Sequence, residues 1–242
     1  MDALSLYRAG RLKEAIDALG DELKKQPLDT KRRTFLFELL CFAGDYGRAE
    51  KQLDVLADTN KDAAAGSMLY RAALHAERER QDMFGRDALP LGAPRPVSGG
   101  ELNGEAFEEI SDADPRIGAN LEAFIAGSYT WIPFAYIESI ETEPPKRLRD
   151  LLWLPAILHT TSDFRLQDLG EVLLPVIAPL SWAHADDAVR LGRTTVWEDD
   201  PKHGQLPLGQ KLLLRGEEEV PFLEMRKLTF QHAEERAESA TA

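Results

Sequence analysis

Two short stretches carry the residue types that chemistry needs. His184-Ala185-Asp186-Asp187 sets an imidazole and two carboxylates close together, donors that suit a divalent metal and a metal-dependent hydrolase or phosphorylation-linked regulator built around it. The same residues suit a polar loop capping a helix, and that reading is preferred. Asp199-Asp200-Pro201-Lys202-His203 has the composition of a solvated turn rather than of an acid–base pair. Glu217-Glu218-Glu219 is a like-charge run expected at an exposed hairpin tip. His75, His159, His184, His203 and His232 lack ligand spacing, and Cys41, among Leu39, Leu40 and Phe42, reads as a small core residue rather than a nucleophile. The phosphate-loop, dinucleotide, nucleophile-elbow and zinc-protease motifs are all missing from the sequence. The residues therefore imply no catalytic group, metal or cofactor.

Two other groups suit recognition. Lys146, Arg147 and Arg149 beside Asp150 form a basic cluster in an acidic stretch. It is read either as an internal ion-pair network or as a docking patch for an acidic partner. Trp131, Phe134 and Trp153 are read as core aromatics first and as exposed anchors second.

These residues sit in a chain of 242, long enough for one large domain or two small ones. With 43% hydrophobic and 29% charged residues the composition is globular. Residues 1–83 hold 14 basic and 15 acidic side chains, and the remaining 159 hold 15 and 27. The net charge of −13 repels phosphate backbones, so nucleic acid is not an expected partner. No apolar run reaches the roughly 18–20 residues of a membrane span, and Met1-Asp2-Ala3-Leu4 does not begin a secretory signal. A lone cysteine fits a reducing compartment. The expectation is a soluble, cytoplasmic protein without a membrane partner.

The elements that position these residues differ between the two halves. Ala9-Gly10-Arg11-Leu12 is echoed by Ala43-Gly44-Asp45-Tyr46, and Gly10 to Gly44, Ala15 to Ala49 and Leu19 to Leu53 are each 34 residues apart. That is the period of the tetratricopeptide helix pair. Pro27 stops one helix, Asp29 or Thr30 can cap the next, and Asp62 to about Met83 reads as a closing helix. In that register Lys31, Thr34 and Glu38 line an inner face available to a partner. Proline and glycine between residues 84 and 105 suggest a linker. Asp114-Pro115 opens an expected short helix through about Gly127. Strands are expected at Tyr129–Trp131, Ile137–Glu141, Trp153–Thr161, Gly170–Ile177, Lys211–Arg215 and Val220–Phe230, and the Ala/Glu-rich tail after Gln231 is expected to fray. The expected fold is α+β in two domains. Residues 1–83 form a tetratricopeptide-like helical domain, 84–105 a linker, and 106–242 a mixed or antiparallel sheet domain with a few helices.

The block Gly127-Ser128-Tyr129-Thr130-Trp131-Ile132-Pro133-Phe134, continued by Pro144-Pro145-Lys146-Arg147-Leu148-Arg149-Asp150-Leu151-Leu152-Trp153-Leu154-Pro155-Ala156, resembles the ImpE/SciE (TagJ) family of bacterial type VI secretion. Asp114-Pro115-Arg116-Ile117-Gly118, Leu174-Pro175-Val176 and Leu191-Gly192-Arg193-Thr194 extend the resemblance, while Val196 stands where the family pattern has an acidic residue. The resemblance implies a non-enzymatic cytoplasmic adaptor. Its implied partners are the N-terminal helix of the small sheath subunit (TssB-type) and the ClpV ATPase that recycles the contractile sheath. Partner-binding residues would then come from Lys31, Thr34 and Glu38, or from Trp131, Phe134, Arg147, Arg149 and Trp153.

Overall fold

A computed structural model describes residues 1–59, 61–90, 97, 99–164 and 169–232. Five helices open the chain: α1 (Ala3–Arg8), α2 (Leu12–Lys25), α3 (Thr30–Phe42), α4 (Tyr46–Ala57) and α5 (Lys61–Gly85). Three of these starts have a local cause. The side chains of Asp2, Asp29 and Asp45 accept the backbone N–H of Ser5, Arg32 and Arg48, which removes one orphan donor per helix. Gly10 and Gly44 take the positive φ that closes the turns after α1 and α3. The turn at Gly44 is also tight from outside, because a Cβ there would lie 2.6 Å from the Trp182 ring.

The rest of the chain is mostly strand: β1 (Gly100–Leu102), β2 (Glu105–Phe107), β3 (Ile110–Asp112), β4 (Asn120–Ile125), β5 (Ser128–Pro133), β6 (Ile137–Thr142) and β7 (Trp153–Thr160). After β8 (Glu171–Pro175) comes the short α6 (Asp187–Arg190), then β9 (Thr195–Asp200), β10 (Gly204–Gly209), β11 (Leu212–Arg215), β12 (Glu218–Pro221) and β13 (Lys227–Phe230). Eight strands form one sheet in the order β2-β1-β13-β6-β7-β8-β4-β5, β12-β11-β3 form a second, and β9 and β10 form a separate hairpin. All of these ladders are antiparallel. The fold is thus α+β, and of the two sheet types expected the antiparallel one is found.

Strand alternation gives the large sheet two apolar faces. Leu154, Ala156 and Leu158 of β7 enter a core shared with Ile140, Leu174, Leu213 and Phe222, between the large sheet and the three-stranded one. Trp153 and Phe124 point the other way, into a core shared with Phe37, Leu40, Leu53 and Leu74 of the helices. The helices therefore bury their apolar stripe against the sheet, as a stack this short must.

Three expectations are corrected. The helix expected at Asp114–Gly127 is a turn followed by β4. Asp112 and Asp114 hold that turn by accepting the N–H of Asp114 and Arg116, and β4 then pairs with β5 and β8. The stretch expected as linker, 84–105, ends in structure, since β1 starts at Gly100 and bonds to β13. The strand expected over Val220–Phe230 is interrupted at Phe222–Glu224 by a 3-10 turn following Pro221. The expected fraying tail lies, from residue 233, outside the described residues.

The loop around α6 clips the helix turns to the sheet. Asp187 accepts the N–H of Leu12 at 2.7 Å and of Lys13 at 3.4 Å, so it caps α2 from across the molecule. Arg193 donates to the carbonyls of Tyr7 and Arg8 at the end of α1 and lies 4.8 Å over the Tyr7 ring. Arg190 holds Asp187 at 2.9 Å and reaches the Ala43 carbonyl at the end of α3. An anion thus meets the N-terminal end of one helix and cations meet the C-terminal ends of two others, as the helix dipole favours. Asp187→Ala is expected to cost about 1 kcal/mol. Chemical denaturation would show the loss, with faster hydrogen exchange at the Leu12 amide.

Candidate functional site

The strongest concentration of charge lies inside the protein. Arg80 of α5, 0% exposed, forks onto Glu122 of β4 with Nε at 2.7 Å and Nη2 at 3.0 Å. It also donates to the Ile177 carbonyl at 3.0 Å and to Glu77 at 3.3 Å. Lys211 bridges Glu122 and Asp112. Tyr129 donates its hydroxyl proton to Glu122, Trp131 donates its indole N–H to Tyr129, and Trp153 donates to Glu77 at 3.1 Å.

Burial pushes the carboxyls of Glu122 and Asp112 upward, but proximity decides where each of the two settles. Glu122 is held at about 2 despite its burial, because Arg80 and Lys211 both face it. Asp112 stays raised at about 6, since burial and the Glu122 charge outweigh Lys211. Perturbed acids of this kind mark candidate active sites only where a substrate fits beside them. The cavity touching Glu77 and Trp153 is about 20 Å³, room for a single water. This network joins helix to sheet.

The His184–Asp187 stretch is equally committed. His184 Nδ1 accepts the Asp186 N–H at 3.0 Å, Asp186 caps α6, and Asp187 caps α2. Among the described residues no three His, Cys, Asp or Glu side chains converge to hold a metal ion. His203 and Lys202, from the hairpin between β9 and β10, pair with Asp87 just past α5.

The eight residues proposed for partner binding are not gathered in one place. Lys31 is exposed on the first turn of α3, and Thr34 bonds back to the Thr30 carbonyl at 2.9 Å. Glu38 is buried, with 7% exposure. The inner face of α3 and α5 is filled by the chain's own 3-10 turn, Leu148–Leu151, and by Trp153 after it. Leu148 and Leu151 pack on the helical core, Arg149 lies 4.5 Å over the Tyr70 ring, and Trp153 stacks on Tyr70 and tilts against Phe37. Asp150 anchors that turn by accepting the N–H of Lys146 and Arg147. The basic cluster is therefore not an internal ion-pair network: Arg149 stacks on a ring, and Lys146 and Arg147 are exposed. Phe134 is a core residue stacked on Phe230, and Trp131 is half-buried beside Phe84.

Of the eight, Arg147 borders the large open groove, a space of about 770 Å³ between α5 and the sheet. Leu69 and Tyr70 form the α5 wall, Pro155, Ile157 and Leu173 lie along the sheet, and Lys146, Arg147, Arg226 and Lys227 supply cations at its border. Leu69 and Ile157 are 52% and 40% exposed. The sequence held one sign of this surface. Strand β7 is apolar on both faces, as Trp153, Pro155 and Ile157 alternate with Leu154, Ala156 and Leu158. Only the tertiary structure shows that one of those faces is left partly uncovered.

The sequence model of the ImpE protein family matches residues 104–229. The chain is also 32% identical over 265 aligned positions to a Pseudomonas aeruginosa protein named type VI secretion system accessory component TagJ, covering 96% of this chain and 92% of that one. In fold it is similar to a crystal structure of a Vibrio parahaemolyticus protein, with a TM-score of 0.81 at 24% identity over 95% of this chain and 97% of that one.

Two variants test the electrostatics. Glu122→Gln strips Arg80 and Lys211 of their shared counter-charge and is expected to cost about 3–5 kcal/mol by chemical denaturation. Glu38 gives a pH signature. Burial raises its carboxyl to about 7, against the opposing pull of Arg149. Folded protein then keeps a proton that the unfolded chain releases from about pH 4.5, so stability falls as pH rises from there to about 7. Glu38→Gln is expected to flatten the decline and to gain up to about 3 kcal/mol at pH 8 relative to wild type. Equal pH slopes in thermal melts of the two proteins would refute this.

Proposed function

Because the chain belongs to the ImpE family, we propose that it is a non-enzymatic accessory protein of a bacterial type VI secretion system, an adaptor that works by holding a partner. The observation that carries this reading is the open groove of about 770 Å³ with exposed Leu69 and Ile157, beside buried charges that are paired among themselves. Large exposed apolar side chains in a concave surface suit protein capture. The naming of the Pseudomonas aeruginosa relative as an accessory component supports the same role.

The partner of this proposal is the small sheath subunit (TssB-type), taken through its N-terminal helix, and the task is linked to the ClpV ATPase that recycles contracted sheath. The site of action is the cytoplasm. Among the described residues no helix is long and apolar enough to cross a membrane, which is compatible with that placement. The opening helices serve as tetratricopeptide-like pairs whose inner face receives the chain's own Leu148–Trp153 segment, so the partner binds elsewhere on the protein.

A fluorescent peptide from the N-terminus of the cognate small sheath subunit, titrated into the purified protein, tests the reading. Saturable binding in the micromolar range is expected, about −8 kcal/mol for a Kd of 1 μM. No binding by protein shown to be folded would overturn it.

A further inference from the structure

The hairpin of β9 and β10 stands apart from both larger sheets. Its inner strand is held to the body of the protein. The Gly209 N–H donates to the Ser181 hydroxyl at 2.8 Å, and the Gly209 carbonyl accepts the Ala178 N–H at 2.8 Å. Leu206 of the same strand is buried. Among the described residues β9 pairs with no strand except β10.

The register shows which backbone groups of β9 are left over. Thr195, Trp197 and Asp199 stand opposite Gly209, Pro207 and Gln205. The bond from the Gln210 N–H to the Thr194 carbonyl, 3.3 Å, makes Thr195–Gly209 a non-hydrogen-bonded pair. Trp197–Pro207 and Asp199–Gln205 then share that phase, which suits Pro207, since it has no N–H to give. The N–H and C=O groups of Thr195, Trp197 and Asp199 therefore point away from β10, along a strand of six residues. The rival edges are poorer. β2 and β3 have three residues and β12 has four, while β5 lies against α5, with Trp131 beside Phe84.

The side chains give this edge its charge. Glu198 and Asp199 are exposed, and Trp197, 36% exposed, adds an aromatic surface beside them. The cations nearby are engaged elsewhere. Arg116 forks onto Asp114, Lys202 and His203 pair with Asp87, and Arg193 donates to the Tyr7 and Arg8 carbonyls. His184 lies 3.4 Å from Glu198, and Asp199 has no salt bridge among the described residues. Asp200 accepts the N–H groups of Lys202 and His203. An open edge takes a further strand through its backbone, and side-chain charge selects which strand. A second copy would bring Glu198, Asp199 and Asp200 of two chains, each of net charge −13, onto one ladder. A strand bearing lysine or arginine meets the opposite charge.

We propose that the β9 edge takes an extended, lysine- or arginine-bearing segment of a partner protein as an added strand. Its backbone pairs with Thr195, Trp197 and Asp199, and its cations lie beside Glu198 and Asp199. This surface shares no residue with the groove between α5 and the sheet and does not depend on the adaptor reading.

The probe is a short fluorescein-labelled peptide of lysine, threonine and valine, with lysines on both faces of the extended chain, titrated into the full-length protein. Saturable binding is expected, weaker at higher salt. The same peptide N-methylated at every internal residue keeps its charge but loses its backbone donors, and is expected to bind at least tenfold more weakly. Circular dichroism first confirms that Glu198→Lys and Asp199→Lys, both at exposed positions, remain folded. Each is expected to weaken the peptide several-fold and to improve binding of a glutamate version. Trp197→Pro removes an outward N–H without removing a bond to β10, and at least a tenfold loss is expected; the N-methylated peptide makes the same test without altering the protein. Equal binding of the plain and N-methylated peptides means attraction by charge alone and overturns the proposal, as does no binding by folded wild type. A dimer of the chain alone, seen by sedimentation and dissociated by Trp197→Pro, gives the edge to a second copy and also overturns it.

Discussion

The fork of Arg80 onto Glu122 sets how the helices sit on the sheet. A guanidinium with no exposure and a carboxylate with 1% can persist only if each satisfies the other. The planar geometry of the bidentate contact fixes position and angle together. Arg80 comes from the fifth helix and Glu122 from the fourth strand, so sliding α5 along the sheet would leave two buried charges unpaired. Apolar contacts between Leu74, Phe124 and Trp153 hold the layers together but tolerate small shifts. The ion pair does not, and Lys211, Glu77 and Tyr129 bond to its remaining polar atoms, with Asp112 in turn pairing with Lys211.

A second set of contacts fixes the far end of the helical layer. The loop carrying Asp187, Arg190 and Arg193 addresses three helix ends, each with the sign of charge that the end prefers. Trp182 fills the space that Gly44 leaves open. Near the hairpin turn at Gly127 the approach is equally close, for a Cβ there would lie 3.0 Å from Ala72 of α5. Small residues on one layer thus receive the other at several points, and the inner face of α3 and α5 is taken by the chain's own Leu148–Trp153 segment.

That arrangement explains where open surface remains. The residues from Leu148 to Trp153 lie against α3 and α5, and they bring buried Glu38 beneath Arg149 and Asp150. The sheet, being wider than the helices that cover it, keeps Ile157 exposed beyond them. The open groove is therefore a consequence of a mismatch in size between two layers whose relative position is fixed by charge.

Local information in the sequence was enough for the periodic and punctuated parts. The 34-residue spacing of Gly10 and Gly44, the stop at Pro27, the cap at Asp29 and the closing helix all follow from turn chemistry and a 3.6-residue period, which act over a few residues. The strands at Ile137 and Trp153 were legible for the same reason. Asp114–Gly127 misled because Asp-Pro is a sound helix start when read alone, whereas pairing of β4 with β5 and β8 makes it strand. The charges of Arg80, Glu122 and Lys211 gave no local signal, since each looks like an ordinary surface residue until the fold brings together positions 42 and 89 residues apart. Composition and spacing determined an α+β chain with a helical first third. Only the tertiary structure decided that Glu38 is buried, that Asp187 is a cap and that Ile157 is exposed, because burial depends on what packs from across the chain.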